Sequence, residues 1–333
     1  MSADTWGTPQ PHPERDRRRE APTAPAFGSS ASNDRAASYP RGVLHLLRIQ
    51  LWHRPLTSSC AKSEVGRHTI TTPSGCWQSS FFGGYVSQVA VRSSAGGRAV
   101  NQDRVIAMPD LVVLADGVGG HEGGELAAHA AVTAAAGALI PRVTVTSVEG
   151  AFADAEVAVQ QVRHREPGLA HAGCTLTVVA LRASAGGGLV RCLVAHAGDS
   201  PVFLLRNDNM SLLTPPHTVT AELVRAGRLT KEQSQRHPGQ HTLTRSIGTS
   251  NKVSPEVREH ELQLGDRVLV ASDGITAGTD RREVRRLATL LGPIEDVVAE
   301  LADYLAATSS DNVTVALLDP WADTGGVTVT NDG

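Results

Sequence analysis

The apolar positions from Tyr85 onward follow two rhythms. Val86–Val91 alternates polar and apolar, which predicts a strand. Asp110–Ala115 is a short apolar run stopped by Asp116-Gly117, which predicts a buried strand and a sharp turn. Gly124–Leu139 is Ala-rich, with Leu126, Ala130 and Ala134 on one face, and Val148–Arg163 repeats the helical spacing. Strands are predicted at Thr175–Arg182 and Leu189–Ala197, joined through Gly186-Gly187-Gly188. Val202–Arg206 and Met210–Thr214 flank Asn207-Asp208-Asn209, a hairpin signature. Ala221–Ala226 runs into Gly227, a helix-closing residue. Val257–Leu262 and Arg267–Ser272 are two further strands. Asp280-Arg-Arg-Glu283 has the spacing of a capping box and opens a helix. Glu295–Ala307 is another helix, and Val313–Leu318 a last strand. Hairpins in succession, with helices inserted in pairs, define an α+β fold in which antiparallel sheet is covered by helices.

The pattern is different before Tyr85. Residues 1–40 are rich in Pro, Ser, Ala and Arg and offer too little apolar surface to offset the entropy of ordering. Residues 1–84 are therefore expected to be a disordered, low-complexity extension, 85–320 one domain, and 321–333 a flexible tail. One island, Gly42–Trp52, has the spacing of a short amphipathic helix ended by Pro55. It reads either as a membrane-surface or docking helix, or as a marginal helix without a role. Residues 1–85 carry ten Lys/Arg against six Asp/Glu, about +4, and the remainder 21 against 28, about −7. The acidity belongs to the folded part. With a net charge of −3 and 4% aromatic residues, neither a basic footprint nor a stacking platform for nucleic acid is expected. The four cysteines, Cys60, Cys76, Cys174 and Cys192, are far apart and form no CxxC pair, which argues against a zinc ribbon or disulfide scaffold. No apolar run approaches the ~18 residues of a membrane span, and no secretory signal is evident. A cytoplasmic monomer is expected.

Candidate chemistry lies where acidic residues meet strand ends. Asp116 follows Leu111–Ala115, Asp199 follows Val194–Gly198, and Asp273 follows Val268–Ser272. Asp311 precedes Val313–Leu318, and Asp103 follows Asn101-Gln102. Singly, each reads as a turn residue. Together, five carboxylates on rigid strand ends would repel one another unless cations sit among them. Oxygen donors without Cys or several His favour Mg²⁺ or Mn²⁺ over zinc. The Gly-rich segment Asp116–Glu125 fails the G-x-G-x-x-G pattern at Glu122, and no P-loop exists. His121-Glu122 lacks the second His of a zincin helix, and Gly123-Gly124 would weaken such a helix. Its glycines instead let the backbone approach a metal, with a carbonyl as ligand. Arg98, five residues before Asp103, reads equally as a phosphate-binding fork and as a surface arginine after Gly96-Gly97. Cys174 and Cys192 lie in strand patterns without a C-x₅-R arrangement, and no G-x-S-x-G elbow surrounds Ser200 or Ser272. Covalent catalysis is not expected.

Six ordered segments resemble the PPM family, the type 2C metal-dependent Ser/Thr protein phosphatases, in its compact bacterial form. They are Arg98-Ala-Val-Asn-Gln-Asp103, Leu114-Ala-Asp-Gly-Val-Gly-Gly-His121, Gly198-Asp-Ser200, Leu243-Thr-Arg-Ser-Ile-Gly-Thr249, Gly265-Asp-Arg-Val-Leu-Val-Ala-Ser-Asp-Gly274 and Ser310-Asp-Asn-Val-Thr314. The resemblance implies a four-layer αββα sandwich of two antiparallel sheets flanked by antiparallel helix pairs. It implies hydrolysis of phosphoserine and phosphothreonine in proteins, the products of a Ser/Thr kinase, by a water activated at a binuclear Mg²⁺ or Mn²⁺ centre. Asp116 and the Gly117 carbonyl, Asp273 and Asp311 match the metal ligands. Asp199 with Asp273 matches the site of a third, weaker ion. Arg98 matches the phosphate-binding arginine, and Asp103 an acidic residue close to the metals. There are departures: Gln102 stands where many members have Glu, Val118 where eukaryotic members carry a general-acid histidine, and Pro201 where an arginine is usual. The segment Thr214–His241 is expected to form a flap beside the site.

Overall fold

The computed structural model describes residues 75–82, 85–118, 122–140, 143–165, 167–183, 190–249 and 253–322. Among the described residues, thirteen strands are arranged in three sheets, and every pairing between them is antiparallel. They are β1 (Gly75–Phe82), β2 (Tyr85–Ser94), β3 (Arg104–Met108), β4 (Leu111–Ala115), β5 (Gly117–Val118), β6 (Gly173–Cys174), β7 (Leu176–Ala183), β8 (Val190–Ala197), β9 (Val202–Arg206), β10 (Asn209–Leu212), β11 (Glu256–Leu262), β12 (Arg267–Ala271) and β13 (Val313–Ala322). The helices are α1 (Glu122–Leu139), α2 (Val145–Arg163), α3 (Val219–Arg225), α4 (Lys231–Ser234), α5 (Arg281–Ala288) and α6 (Ile294–Thr308). One sheet has the order β1-β2-β13-β12-β9-β10 and the other β11-β8-β7-β4-β3, while β5-β6 form a small ribbon.

The side chains sort into three apolar clusters, and these define four layers. Val112 and Leu114 of β4 face Val268 and Val270 of β12 and Ala316 and Leu318 of β13 in the space between the sheets. The alternate residues Leu111, Val113 and Ala115 point outward onto α1 and α2, around Phe152. Leu269 and Ala271 of β12 and Val315 and Leu317 of β13 point outward onto α5 and α6. Strands buried on both faces read as continuous apolar runs rather than alternating ones. This is why Leu111–Ala115 of β4, Val268–Ala271 of β12 and Val315–Leu318 of β13 are unbroken apolar runs. The four-layer sandwich expected from the resemblance is the observed architecture.

Several elements differ from the sequence expectation. Strand β1 pairs along β2, so the sheet begins before residue 85 and part of the expected disordered extension is ordered. Residues 1–74, including the Gly42–Trp52 helix, and residues 323–333 of the expected tail lie outside the described residues. β13 reaches Ala322, two residues past the expected boundary. β3 was not expected, because its five residues follow turn-like Asn101-Gln102 and gain strand form by pairing with β4. The hairpin turns on two residues, Asn207 and Asp208, at φ 49° and 59°, with Asn209 already paired to Arg206. This is the double left-handed turn that matches strand twist. Asp280 caps α5 by accepting from the Arg282 N–H at 2.8 Å, but Glu283 turns away to Arg286, so no capping box forms. The boxes that do form are Thr144 with Ser147 and Thr230 with Gln233. Gly227 follows α3 at φ 69°, as its position implied. Asp266, from one of the family-like segments, serves the scaffold: it accepts both arms of Arg206, at 2.8 and 2.5 Å, and the Gln263 N–H at 2.7 Å. Among the described residues no helix is long and apolar enough to cross a membrane.

Phe152 is fully buried between α1, α2 and the β4 side of the sandwich. Phe152→Ala should lower stability by about 3–5 kcal/mol, read as a shift in the urea midpoint of far-UV circular dichroism at unchanged slope.

Candidate metal centre

The ends of β4, β8 and β12 and the start of β13 open on one cleft of about 630 Å³, whose lining includes Asp116, Asp199, Asp273 and Asp311. Arg98, Gln102 and Gly117 line the same cleft. Asp103 lies beneath it, at 1% exposure. The structure therefore brings together Arg98, Asp103, Asp116, Gly117, Asp199, Asp273 and Asp311.

Two polar residues stitch the strand ends into position. Thr175 is 1% exposed. Its Oγ1 accepts the Asp116 N–H at 3.0 Å, and its own N–H donates to the Asp116 carbonyl at 2.9 Å. The same Oγ1 lies 2.7 Å from Ser200 Oγ, which joins the Asp116 turn to the Asp199 bend. A Cβ on Gly198, at φ 125°, would stand 2.6 Å from Thr175, so this bend requires glycine. On the other side, Asn312 donates to the carbonyls of Ala95 at 3.0 Å and Val100 at 2.8 Å and accepts the Gln102 N–H at 3.0 Å. One side chain thus holds the whole Arg98 loop against β13. Sequence reading placed Asn312 in a motif without a role and gave Thr175 none. Their neighbours in sequence carry no sign of these long-range bonds.

The glycines act by close packing. A Cβ on Gly117 would meet the Gly124 backbone at 2.5 Å. Gly123-Gly124 thus do not break the helix but form the first turn of α1, pressed against the Asp116-Gly117 turn. Gly96, at φ 53°, lies where a Cβ would meet the Asp311 carbonyl at 2.0 Å. The turn that follows presents Arg98, whose Nη2 reaches Asp311 Oδ2 at 2.8 Å. Arg98 is therefore a cleft residue despite the 57% exposure of its side chain. Glu125 of α1 also lines the cleft and pairs with buried Arg104. The sequence reading had not singled out this pair.

Burial and mutual repulsion set the electrostatics of the cluster. Burial raises the Asp103 pKa to about 6, and Asp273 and Asp311 add to the shift. The hydroxyls of Ser272 and Thr314 lower it somewhat; Ser272 Oγ also accepts the Thr314 N–H at 2.9 Å, and Thr314 Oγ1 lies 2.7 Å from Ser93 Oγ. Both Asp103 carboxylate oxygens are left buried without a hydrogen-bond partner. Burial also pushes Asp116 well above the usual range, and Asp103, Asp273, Asp199 and Asp311 push in the same direction. Asp199 rises to about 7 through burial and then Asp273, and Asp273 rises through burial and then Asp311. Buried carboxylates with unused lone pairs and mutual repulsion fit hard divalent cations. Cys174 and Cys192 are buried, with thiol pKa values raised by burial, so neither is poised as a nucleophile.

The protein phosphatase 2C model matches residues 92–318. PhpP of Streptococcus pneumoniae is 33% identical over 214 residues, 62% of this chain and 85% of its own length. PstP of Mycobacterium tuberculosis is 30% identical over 243 residues, 70% of this chain and 45% of its own. Among solved structures, the PPM Ser-Thr phosphatase MsPP of Mycobacterium smegmatis, in complex with cacodylate, superposes with a TM-score of 0.63 at 33% identity, over 69% of this chain and 97% of its own. The catalytic domain of PstP in complex with two manganese ions gives a TM-score of 0.61 at 29% identity, over 70% and 97%. The chain belongs to the protein phosphatase 2C family, the PPM type of protein-serine/threonine phosphatase.

Asp199 supplies a pH test. Its folded pKa, about 7, lies above the ordinary 3.8, so the fold favours the neutral acid. That contribution is complete below the ordinary value and is lost as pH rises through about 7. Chelator-treated wild type should lose melting temperature relative to Asp199→Asn between about pH 4 and 7. Parallel melting curves for the two proteins would refute the charge argument.

Proposed function

We propose that the chain hydrolyses phosphoserine and phosphothreonine in proteins, with divalent cations held by Asp116, the Gly117 carbonyl, Asp273 and Asp311, and a further, weaker one held by Asp199 with Asp273. One observation carries the reading: carboxylates from four strand ends share a cleft, above a buried Asp103 whose oxygens have no partner. When bound, Mn²⁺ or Mg²⁺ supplies Lewis-acid activation of water for direct attack on phosphorus.

The protein's own groups do the rest. Asp116 and Asp273 lie within hydrogen-bonding reach of each other, close enough to hold shared ligands. Asp103, buried below, adds negative charge to the site. Arg98 swings from Asp311 to the phosphoryl oxygens, where its planar fork offers two parallel donors. Val118 lines the cleft and has no proton to give, so no side chain of β5 protonates the leaving alkoxide. Gln102 stands where many relatives carry a carboxylate, which lowers the negative charge available to one ion. His241, the last residue of the expected flap, and Leu243, just beyond it, line the cleft where the substrate chain enters. In this reading the catalytic domain runs from Gly75 to Ala322 and acts as a cytoplasmic monomer on the products of a Ser/Thr kinase.

Phosphate release from a phosphothreonine peptide, measured across a Mn²⁺ titration, tests this. Release should require metal, stop on chelation and vanish in Asp273→Asn. Metal-independent release, or none from the folded protein, would sink the reading. Arg98→Ala should keep Mn²⁺ binding and lose about 10²-fold in kcat/KM, the scale of removing one preorganised charge-stabilising donor.

A further inference from the structure

Behind the Gly198–Asp199 bend lies a polar cluster that the proposed chemistry does not use. His196, on β8, and His217, before α3, stack with ring centroids 4.3 Å apart and planes 4° from parallel. They are 2% and 0% exposed, and neither lines the cleft. His196 Nε2 lies 2.8 Å from the Pro215 carbonyl. A carbonyl only accepts, so that nitrogen carries the proton. His217 Nδ1 accepts the Gly198 N–H at 3.3 Å, while the His217 backbone N–H donates to the Gly198 carbonyl at 3.0 Å. Both polar groups of Gly198 are therefore clasped by one residue. With Nδ1 accepting, the His217 proton sits on Nε2, 3.3 Å from Glu256 Oε2, which accepts it. Burial comes first in holding both imidazoles neutral, and His217 is pushed down to about 4.

The three side chains place ligand-type atoms within 4.8 Å of one another. Parallel rings, however, aim their lone pairs side by side rather than at a common point. His196 Nε2 and His217 Nδ1 are also already engaged. The cluster is built to orient Gly198, not to hold an ion.

We propose that His217, its tautomer set by Glu256, is a positioning residue for Asp199: by clasping Gly198 it fixes how the next residue's carboxylate enters the cleft, and so sets cation affinity there. This rests on the reading of Asp199 as a cation ligand. Side chains one layer behind metal ligands typically carry 10- to 100-fold in affinity.

The test is calorimetric titration of the full chain with Mn²⁺, without substrate, for wild type, Asp199→Asn, His217→Asn and His217→Gln. Asparagine places an amide oxygen where Nδ1 stood. Glutamine reaches Glu256 but leaves Gly198 N–H without an acceptor. Asp199→Asn and His217→Gln should each weaken the weakest Mn²⁺ step by about tenfold or more, and His217→Asn should keep most of it. A wild-type titration for His217→Gln beside a weakened Asp199→Asn overturns the positioning role alone. Equal losses in the two His217 variants overturn it too, by assigning the effect to packing. A wild-type titration for Asp199→Asn removes the ligand reading and the proposal with it. Independently of folding in the variants, ¹⁵N spectra of the unsubstituted metal-free protein should show His217 protonated at Nε2 and not at Nδ1. The opposite tautomer would refute the clasp.

Discussion

Like charges gathered away from water repel, and this repulsion is the constraint under which the molecule is built. Asp103, Asp116, Asp199 and Asp273 all have raised pKa values, with burial as the leading cause and neighbouring carboxylates adding to it. A flexible loop would relieve such strain by turning its side chains outward. The strand ends cannot, because β4, β8, β12 and β13 are each packed against apolar clusters. The sandwich thus holds these carboxylates at a distance where they repel, an arrangement that divalent cations would offset.

Precision in the site comes from short polar contacts between strand ends. Thr175 ties the Asp116 turn to Ser200, and Asn312 ties the Arg98 loop to β13. Glycines at 96, 117, 124 and 198 allow backbone segments to pass closer than any side chain would permit. The result is a cleft whose carboxylates sit on rigid supports and whose lining also includes Arg98, His241 and Leu243. A fixed carboxylate set with loops beside it suits a protein-serine/threonine phosphatase, because loops next to a site commonly set substrate choice.

Family membership was legible because it rests on the order of six local segments, and the strand-end aspartates within them pointed to hard cations before any fold was known. The strands β4, β7, β8, β12 and β13 and the helices α2 and α6 were legible too, since each is a run long enough to show its own periodicity. The existence of α1 was legible but not its buried face, which is Ala127, Ala128, Ala131, Ala135 and Leu139 and not Leu126, Ala130 and Ala134. β1, β3 and the β5-β6 ribbon were not. They owe their form to partners: β3 to β4, and Gly117 to Cys174 across the ribbon. Capping went the same way. Asp280 and Glu283 had the right spacing, but Arg286 drew Glu283 away.

What the sequence determined by itself was composition of the site, its chemical hardness and the alternation that makes each strand. Only the tertiary structure decided which aspartates share the cleft and which, like Asp266, serve the scaffold. It alone decided that Arg98 faces Asp311, that Asp103 lies buried with bare oxygens, and that His217 clasps Gly198. The reason is physical. Periodicity and turn chemistry act over a few residues, whereas burial, charge repulsion and a hydrogen bond from Asn312 to Ala95 depend on segments brought together across two hundred residues of chain.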